Sequence, residues 1–438
     1  MKKFKKEIVM SNQKAQKEMV QVGSTLPSRL KYPIVGILMM LCIGNVYSWS
    51  VFSKPLQAEG WTAAQTTLPF QLSIVFFTIA MVFAGRWQDR SGPKPVAVFS
   101  GIMMGAGFIL IRFFGQSLTG MLISFSGIAS IGMGAGYVTP LSTALKWYPD
   151  KRGLISGIVV LGMGAGSIFG GIGGPLLIEK FGIWNTFLIF GIIFGAVITV
   201  CGFVLKNPPI GYTPPASISA LETKKKETAV KPYDYSAREM LGTVTFYLMW
   251  LVFLIGTSGG LMVISQASPF GQNVIGLKPV VAGSVITVLA VFNGLGRPVF
   301  GFLSDKIGRK NAIFIAFAIQ LIALTAVLPY ANSYGIYAIG VSLMGFAFGG
   351  FLGMMPSITA DYFGIKNIGL NYACVYTGWG AAGFLGPQIV NVLVGGSVAR
   401  ADWNNAFYFA AAACVIGMVL WFFTNPPVKS QAPTISTE

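Results

Sequence analysis

Apolar residues along this chain fall in blocks of about 20, set apart by short polar stretches, instead of recurring at the amphipathic spacing of a surface helix. About 20 apolar residues in helical form cross the hydrocarbon core of a bilayer, which is about 30 Å thick. The pattern predicts twelve spans, at about 33–53, 67–86, 95–114, 118–140, 153–177 and 184–205, then 244–267, 280–303, 311–329, 334–357, 368–394 and 405–424. Between the sixth and seventh, a polar connector holds Pro208, Pro209, Pro214, Pro215 and the run Lys224-Lys225-Lys226, with no helical periodicity. The expected domains are a tail at 1–32, a six-helix bundle at 33–205, a linker at 206–241, a second six-helix bundle at 242–424 and a tail at 425–438. The fold class is an all-α polytopic membrane protein.

The two halves are repeats. Gly-Arg-Trp-Gln-Asp-Arg-Ser-Gly-Pro-Lys at 85–94 aligns with Gly-Phe-Leu-Ser-Asp-Lys-Ile-Gly-Arg-Lys at 301–310, an offset of 216 residues. The same offset superposes Pro140 on Pro356, Thr143 on Thr359, Gly153 on Gly369, Gly162 on Gly378, Gly164 on Gly380 and Gly170 on Gly386. Six spans repeated in one orientation imply two bundles related by a pseudo-twofold axis along the membrane normal, with a substrate site between them near the midplane.

Composition agrees and narrows the chemistry. The chain is 54% hydrophobic and 10% charged, where a soluble protein carries about 25% charged residues. The net charge of +17 reflects topology and does not point to a nucleic-acid partner. Of 31 Lys and Arg, 25 lie in segments that fall on one side if every block crosses, and the other side holds only Lys54, Arg112, Lys180, Lys278 and Arg400. That asymmetry places both termini in the cytoplasm of a multi-pass cell (inner) membrane protein. The first 32 residues are polar and lack the apolar core of a signal peptide. The four cysteines lie inside apolar blocks, and there is no histidine, so no metal site, cofactor or near-neutral proton relay is expected. All 14 Asp and Glu lie in tails, loops or span ends. No general base for an enzyme and no counter-charge for a cation therefore stands inside the spans.

One charge does. Arg297 lies eight residues before the charged end at Asp305, about 12 Å into the bilayer as helix. Holding it there costs at least about 2.5–3.5 kcal/mol, and its forked donors suit bidentate binding of a carboxylate. Gly294, Gly296 and Pro298 around it predict a broken or closely packed helix. An Arg at this depth can instead snorkel to the surface or cap carbonyls of a broken helix. Asn293 is one turn earlier on the same face and can donate to the same anion. Tyr47 in the first span and Tyr137 in the fourth offer hydroxyls, while Tyr376, Trp379 and Phe351 can wall a small cavity.

The repeated loop motif is carried by Gly85, Asp89, Arg90 and Gly92, and again by Gly301, Asp305, Lys306, Gly308 and Arg309. It resembles the signature loop of the major facilitator superfamily, and the resemblance extends over all twelve spans. The resemblance implies a transporter whose motif loops help to hold one gating state. Within that superfamily, Asn45-Val46-Tyr47-Ser48-Trp49-Ser50, Lys146-Trp147-Tyr148-Pro149-Asp150-Lys151-Arg152-Gly153 and the Asn-Gly-Leu-Gly-Arg run ending at Arg297 look like the oxalate:formate antiporter family. That family includes bacterial relatives of the monocarboxylate transporters. It implies transport of small carboxylates with Arg297 as carboxylate ligand, and Tyr137 and Asn293 match cavity-lining positions of bacterial lactate-transporting relatives.

Two departures matter. The oxalate exchanger carries a second intramembrane cation in span eleven, and none lies between Asn367 and Ala399 here. A single deep cation favours a monoanion such as lactate, pyruvate or formate over oxalate. Animal monocarboxylate transporters place an Asp where this chain has Asn293, which argues against Asp-based proton coupling. The expected function is secondary active transport of small carboxylates by alternating access, by a monomer in the lipid bilayer, with a proton or a second anion co-transported or exchanged. The sequence leaves open symport versus antiport, a dicarboxylate exchanger, and an exporter of another substrate class on the same fold.

Overall fold

Inside a bilayer a backbone amide has no water to bond, so each apolar block must satisfy its amides within its own helix. The computed structural model, which describes residues 29–209, 212, 233–395 and 397–427, is built in this way. Helix α1, Lys31–Gly44, continues through a 3-10 turn, Asn45–Ser48, into Ser50–Ala58. Then come α2, Ala63–Ser91, and α3, Pro93–Phe114. Helix α4, Ser130–Trp147, is entered through a short helix, Leu118–Met121, and a π-helical stretch, Leu122–Ala129. The run Arg152–Val204 has 53 residues, about 80 Å of helix and more than twice a bilayer core. It is two helices, α5 and α6, meeting at Gly182 (φ 76°).

The second half holds α7, Val244–Asn273, α8, Pro279–Ile307, and α9, Arg309–Ile322, which is prolonged by irregular turns to Tyr330. Helices α10, Tyr334–Phe363, α11, Ile368–Val394, and α12, Arg400–Phe423, complete it. Ten described runs are long and apolar enough to cross a membrane, with α5 and α6 counted as one run. At 27 residues α11 has the length for a further span. Twelve helices thus stand where the hydropathy pattern predicts them. Most of the linker and both tails lie outside the described residues, at 1–28, 213–232 and 428–438. The described end of the linker is not irregular throughout. It forms a helix, Ala237–Leu241, begun by a capping box between Ser236 and Glu239, a Ser-x-x-Glu signal present in the sequence.

The repeat is visible in the backbone. Gly60 (φ 94°) and Gly276 (φ 77°) turn into α2 and α8, and Gly92 (φ 82°) and Gly308 (φ 90°) turn out of them. Each pair is 216 residues apart, and each position needs the left-handed conformation that glycine adopts at no steric cost. Other glycines bring helices together. Gly132 in α4 packs on the backbone at Ser100 and Met104, Gly296 in α8 on that of Phe346, and Gly349 in α10 on that of Asn293. Association in lipid rests on such close backbone approach, because lipid tails are as apolar as the helices. Interior polar groups are mostly tied to backbone, as in Ser100 Oγ donating to the Gly132 carbonyl (2.7 Å) and Gln320 Nε2 to the Gly256 carbonyl (2.8 Å).

A Cβ at Gly132 would strike main-chain atoms of α3, whereas one at Gly171 in α5 meets nothing within 4 Å. In detergent, Gly132→Ala should lower the apparent melting temperature by about 3 °C or more. Gly171→Ala should leave it unchanged or raise it, since alanine favours helix.

Candidate functional site

The first amides of a helix need acceptors, and Lys151 at the start of α5 supplies no side-chain cap. The acceptor comes from the other half. Gly153 N donates to Asp305 Oδ1 (2.9 Å) and Leu154 N to Asp305 Oδ2 (2.8 Å). In the repeat, Gly369 N (3.2 Å) and Leu370 N (2.8 Å) at the start of α11 donate to Asp89. The 216-residue offset maps one clasp onto the other. The carboxylate also meets the positive end of the helix dipole, and each such cap is worth about 0.5–2 kcal/mol. Gly85 packs directly on Gly369, and Gly301 on Gly153.

Arg309 pairs with Asp305 (2.7 Å) and Asp361 (2.8 Å), Arg152 with Asp361 (2.7 Å), and Lys146 with Asp89 (3.5 Å). These contacts gather the α2–α3, α4–α5, α8–α9 and α10–α11 loops at one end of the molecule, the basic end. Arg90 and Lys306 stay exposed outside the clasps. One residue beyond each Asp the helix has turned by about 100°, and Lys306 lies over the Phe302 ring (4.6 Å). Helices α5 and α8 touch from Gly153 and Gly301 up to Gly164 and Gly294. Farther from the basic end, an added Cβ at Gly171, Gly173 or Gly283 would meet nothing. The halves are shut against each other at the basic end.

At the inner limit of that contact lies Arg297. Helix α8 runs unbroken through Pro298, so of the two expectations for this stretch close packing holds and a break does not. The Arg297 carbonyl is held between Gly157 of α5 and Gly353 of α10. The side chain is fully buried and does not snorkel. Nε donates to Asn293 Oδ1 (3.3 Å), Nη1 donates to the Val160 carbonyl of α5 (2.5 Å), and Nη2 has no partner. Arg297 therefore caps one carbonyl across the interface and keeps one edge of its fork free. Asn293 orients it through its oxygen.

Hydroxyls and aromatic rings from both halves surround this charge. The guanidinium acts electrostatically on the hydroxyls of Tyr47, Tyr137 and Tyr372. Tyr137 and Tyr372 meet across the halves, hydroxyl to hydroxyl at 3.4 Å. Tyr372, Tyr376 and Trp379 recur at helical spacing along one face of α11. The Tyr376 ring lies tilted at 4.9 Å from Tyr137 and 5.0 Å from Trp379, and Phe77 of α2 closes the group at 5.7 Å from Tyr137. A void of about 10 Å³ lies between Tyr47, Trp379, Phe77, Met163 and their neighbours, room for about one water. Arg297 Nη2 and the indole N–H of Trp379 are buried without a hydrogen-bond partner, and the hydroxyls of Tyr47 and Tyr376 make only loose contacts, with the Arg297 guanidinium and with Tyr137 respectively. Buried polar groups are nearly always paired, and Trp and Arg can only donate. An unpaired guanidinium edge beside a tyrosine hydroxyl suits an acceptor-rich ligand.

The structure thus brings Arg297, Asn293, Tyr47, Tyr137, Tyr376 and Trp379 together. Phe351 does not join them. Gly349 and Gly353 face α8, and two residues round the helix Phe351 points the opposite way, onto Gly256 of α7 and the Phe317 ring (4.7 Å). Tyr372, Phe77 and the Val160 carbonyl are additions that sequence reasoning missed. The four-residue step from Tyr372 to Tyr376 was the available signal for the first, and a main-chain carbonyl leaves no trace in side-chain identity.

A sequence model of the Major Facilitator Superfamily matches residues 34–387 and 260–438. The oxalate:formate antiporter of Oxalobacter formigenes is 30% identical over 423 residues, covering 94% of this chain and 96% of that protein. The uncharacterized MFS-type transporter YhjX of Escherichia coli (strain K12) is 30% identical over 345 residues, covering 78% of this chain and 83% of its own. In structure, the human organic anion transporter MFSD10 (TETRAN) superposes with a TM-score of 0.69 over 90% of this chain and 100% of that one, at 14% identity, a likeness of fold.

Removing one clasp should loosen the closed end. With the four native cysteines replaced and spin labels at Lys94→Cys and Lys306→Cys, Asp305→Asn should shift the distance distribution to longer values. An unchanged distribution would show that the Asp305 cap does not hold the halves together.

Proposed function

The chain belongs to the Major Facilitator Superfamily, and from that premise we propose that it is a secondary active transporter of small carboxylate anions, monocarboxylates foremost, working by alternating access. The observation that carries this reading is the Arg297 guanidinium, buried, with no carboxylate partner among the described residues and with Nη2 unpartnered. A fixed positive charge in a water-poor interior stabilises an anion far more than it would in bulk water, and the free edge of the fork offers a charge-assisted hydrogen bond. Tyr47 lies beside it to share the anion. Tyr137 and Tyr372 close the route toward the basic end. The positive-inside pattern supports reading that end as cytoplasmic, with both termini inside, in a protein of the cell membrane. In this conformation the site is then sealed from the cytoplasm by the Asp89 and Asp305 clasps.

A second reading, a dicarboxylate exchanger, draws on the 30% identity to the oxalate:formate antiporter. It lacks a second cation, because α11 carries neutral Tyr372, Tyr376 and Trp379 on the face that meets the site. Either reading permits exchange of one anion for another.

Purified protein should be thermally stabilised by pyruvate, lactate or formate, and less by oxalate at equal concentration, because a ligand bound to the native state raises its apparent stability. Arg297→Ala should abolish the shift and lower affinity by about 30-fold or more, the effect of removing about 2 kcal/mol of buried ionic contact. Arg297→Lys keeps the charge, loses the fork and should also transport poorly. Carboxylate uptake surviving Arg297→Ala in proteoliposomes would refute the assignment, and stabilisation by oxalate alone would favour the exchanger.

A further inference from the structure

The two clasps differ in what surrounds them. Around Asp305 the cations have acids of their own: Arg309 pairs with Asp305 and Asp361, and Arg152 with Asp361. At the 216-residue offset the place of Asp361 is taken by Leu145, buried and apolar. Beside Asp89 lies a cavity of about 320 Å³, lined by Arg86, Arg90 and Arg238 together with Ser236, Asn367 and Leu370. Among the described residues none of the three arginines has a salt bridge or a hydrogen-bonded side-chain partner. Asp89 lies on the same wall, but its oxygens accept from the Gly369 and Leu370 amides and its charge is offset by Lys146. Three uncompensated positive charges thus border one space. We propose that this cavity binds a phosphate-type oxyanion, which staples the two halves together at the basic end.

The walls belong to different halves. Arg86 and Arg90 stand one turn apart near the end of α2. Arg238 stands on the linker helix, Ala237–Leu241, which is pinned to the second half. Asp234 accepts from the Ile365 and Lys366 amides (2.9 and 3.0 Å), and Asn367 and Asn371 Nδ2 both donate to the Tyr235 carbonyl (2.9 Å). An anion held by both walls bridges the halves, and separating them breaks its contacts. A ligand that binds one conformation better shifts the population toward it. Guanidinium forks match phosphate oxygens bidentately, and three of them suit a dianion better than a singly charged carboxylate. The ligand does for the Asp89 clasp what Asp361 does for the Asp305 clasp. The phosphate group can arrive free in solution or as a lipid headgroup, since Phe83 and Trp87 of α2 and Leu241 and Val244 after Arg238 expose apolar surface nearby. Arg297 plays no part in this site, which stands apart from the carboxylate reading.

Two probes test it: inorganic phosphate, added to protein in detergent against chloride at equal ionic strength, and phosphatidic acid, added to mixed micelles against phosphatidylcholine. Arg86→Gln, Arg90→Gln and Arg238→Gln each remove one charge, and Lys306→Gln, at an exposed cation beside the other clasp, is the control. At least one probe should raise the apparent melting temperature. Each arginine substitution should raise the concentration giving half the shift by about tenfold, the effect of one charge-assisted hydrogen bond, and Lys306→Gln should leave it within about twofold. If Arg86→Gln or Arg90→Gln fails to fold, Arg238→Gln on the linker helix carries the test. A response to phosphate identifies a soluble ligand, and a response to phosphatidic acid alone identifies a lipid. In the Asp305→Asn protein labelled at Lys94→Cys and Lys306→Cys, the bound probe should shift the distance distribution toward shorter values. No stabilisation by either probe, or an effect no larger in the arginine variants than in Lys306→Gln, would overturn the site. Stabilisation with an unchanged distance distribution would overturn the staple.

Discussion

A guanidinium keeps its proton at any physiological pH, so Arg297 cannot relieve its burial by becoming neutral, as a lysine or a carboxylate can. The fold answers with dipoles: the Val160 carbonyl, the Asn293 amide oxygen and a ring of tyrosine hydroxyls. Gly157 on α5 and Gly353 on α10 carry no side chain where the backbone of α8 passes, which lets the main chain come close enough to place the charge. The result is a positive centre partly solvated by the protein, with donors left over. Complementarity to an anion follows from this one constraint.

Symmetry and asymmetry divide the labour. The clasps at the basic end are twofold, with Asp89 of α2 capping α11 and Asp305 of α8 capping α5, each accepting from a pair of backbone amides in the opposite half. The buried guanidinium is single. At the repeat position of Arg297 stands Met81, fully buried and apolar. Duplication thus supplied a matched pair of contacts at the basic end, while the buried charge sits in one copy only. The two tasks can vary independently, since a change at Arg297 leaves both clasps intact.

Much of this was legible before any coordinates. Hydropathy placed the twelve helices because block length is a strong signal, and the 216-residue offset anticipated the twin turns at Gly92 and Gly308. Arg297, Tyr47, Tyr137, Tyr376 and Trp379 stand out in the sequence because polar or amphipathic groups are conspicuous in apolar spans. Direction was harder. A helix that is apolar on every side has almost no amphipathic signal to mark which face looks inward, and the sequence does not show that Phe351 packs against Phe317. The capping of α5 by Asp305 was hidden for another reason: its acceptor and donors are 152 and 151 residues apart, and the donors are main-chain amides that any residue except proline provides.

The bond from Arg297 Nη1 to the Val160 carbonyl spans the two halves. Any rocking that separates α5 from α8 at the basic end must stretch or break it. The guanidinium would then enter the other conformation with one more unsatisfied donor and greater rotational freedom. On the proposed reading, opening the path would thereby alter the coordination of the cargo itself, and the carrier would hold its anion with a different strength on each side of the membrane.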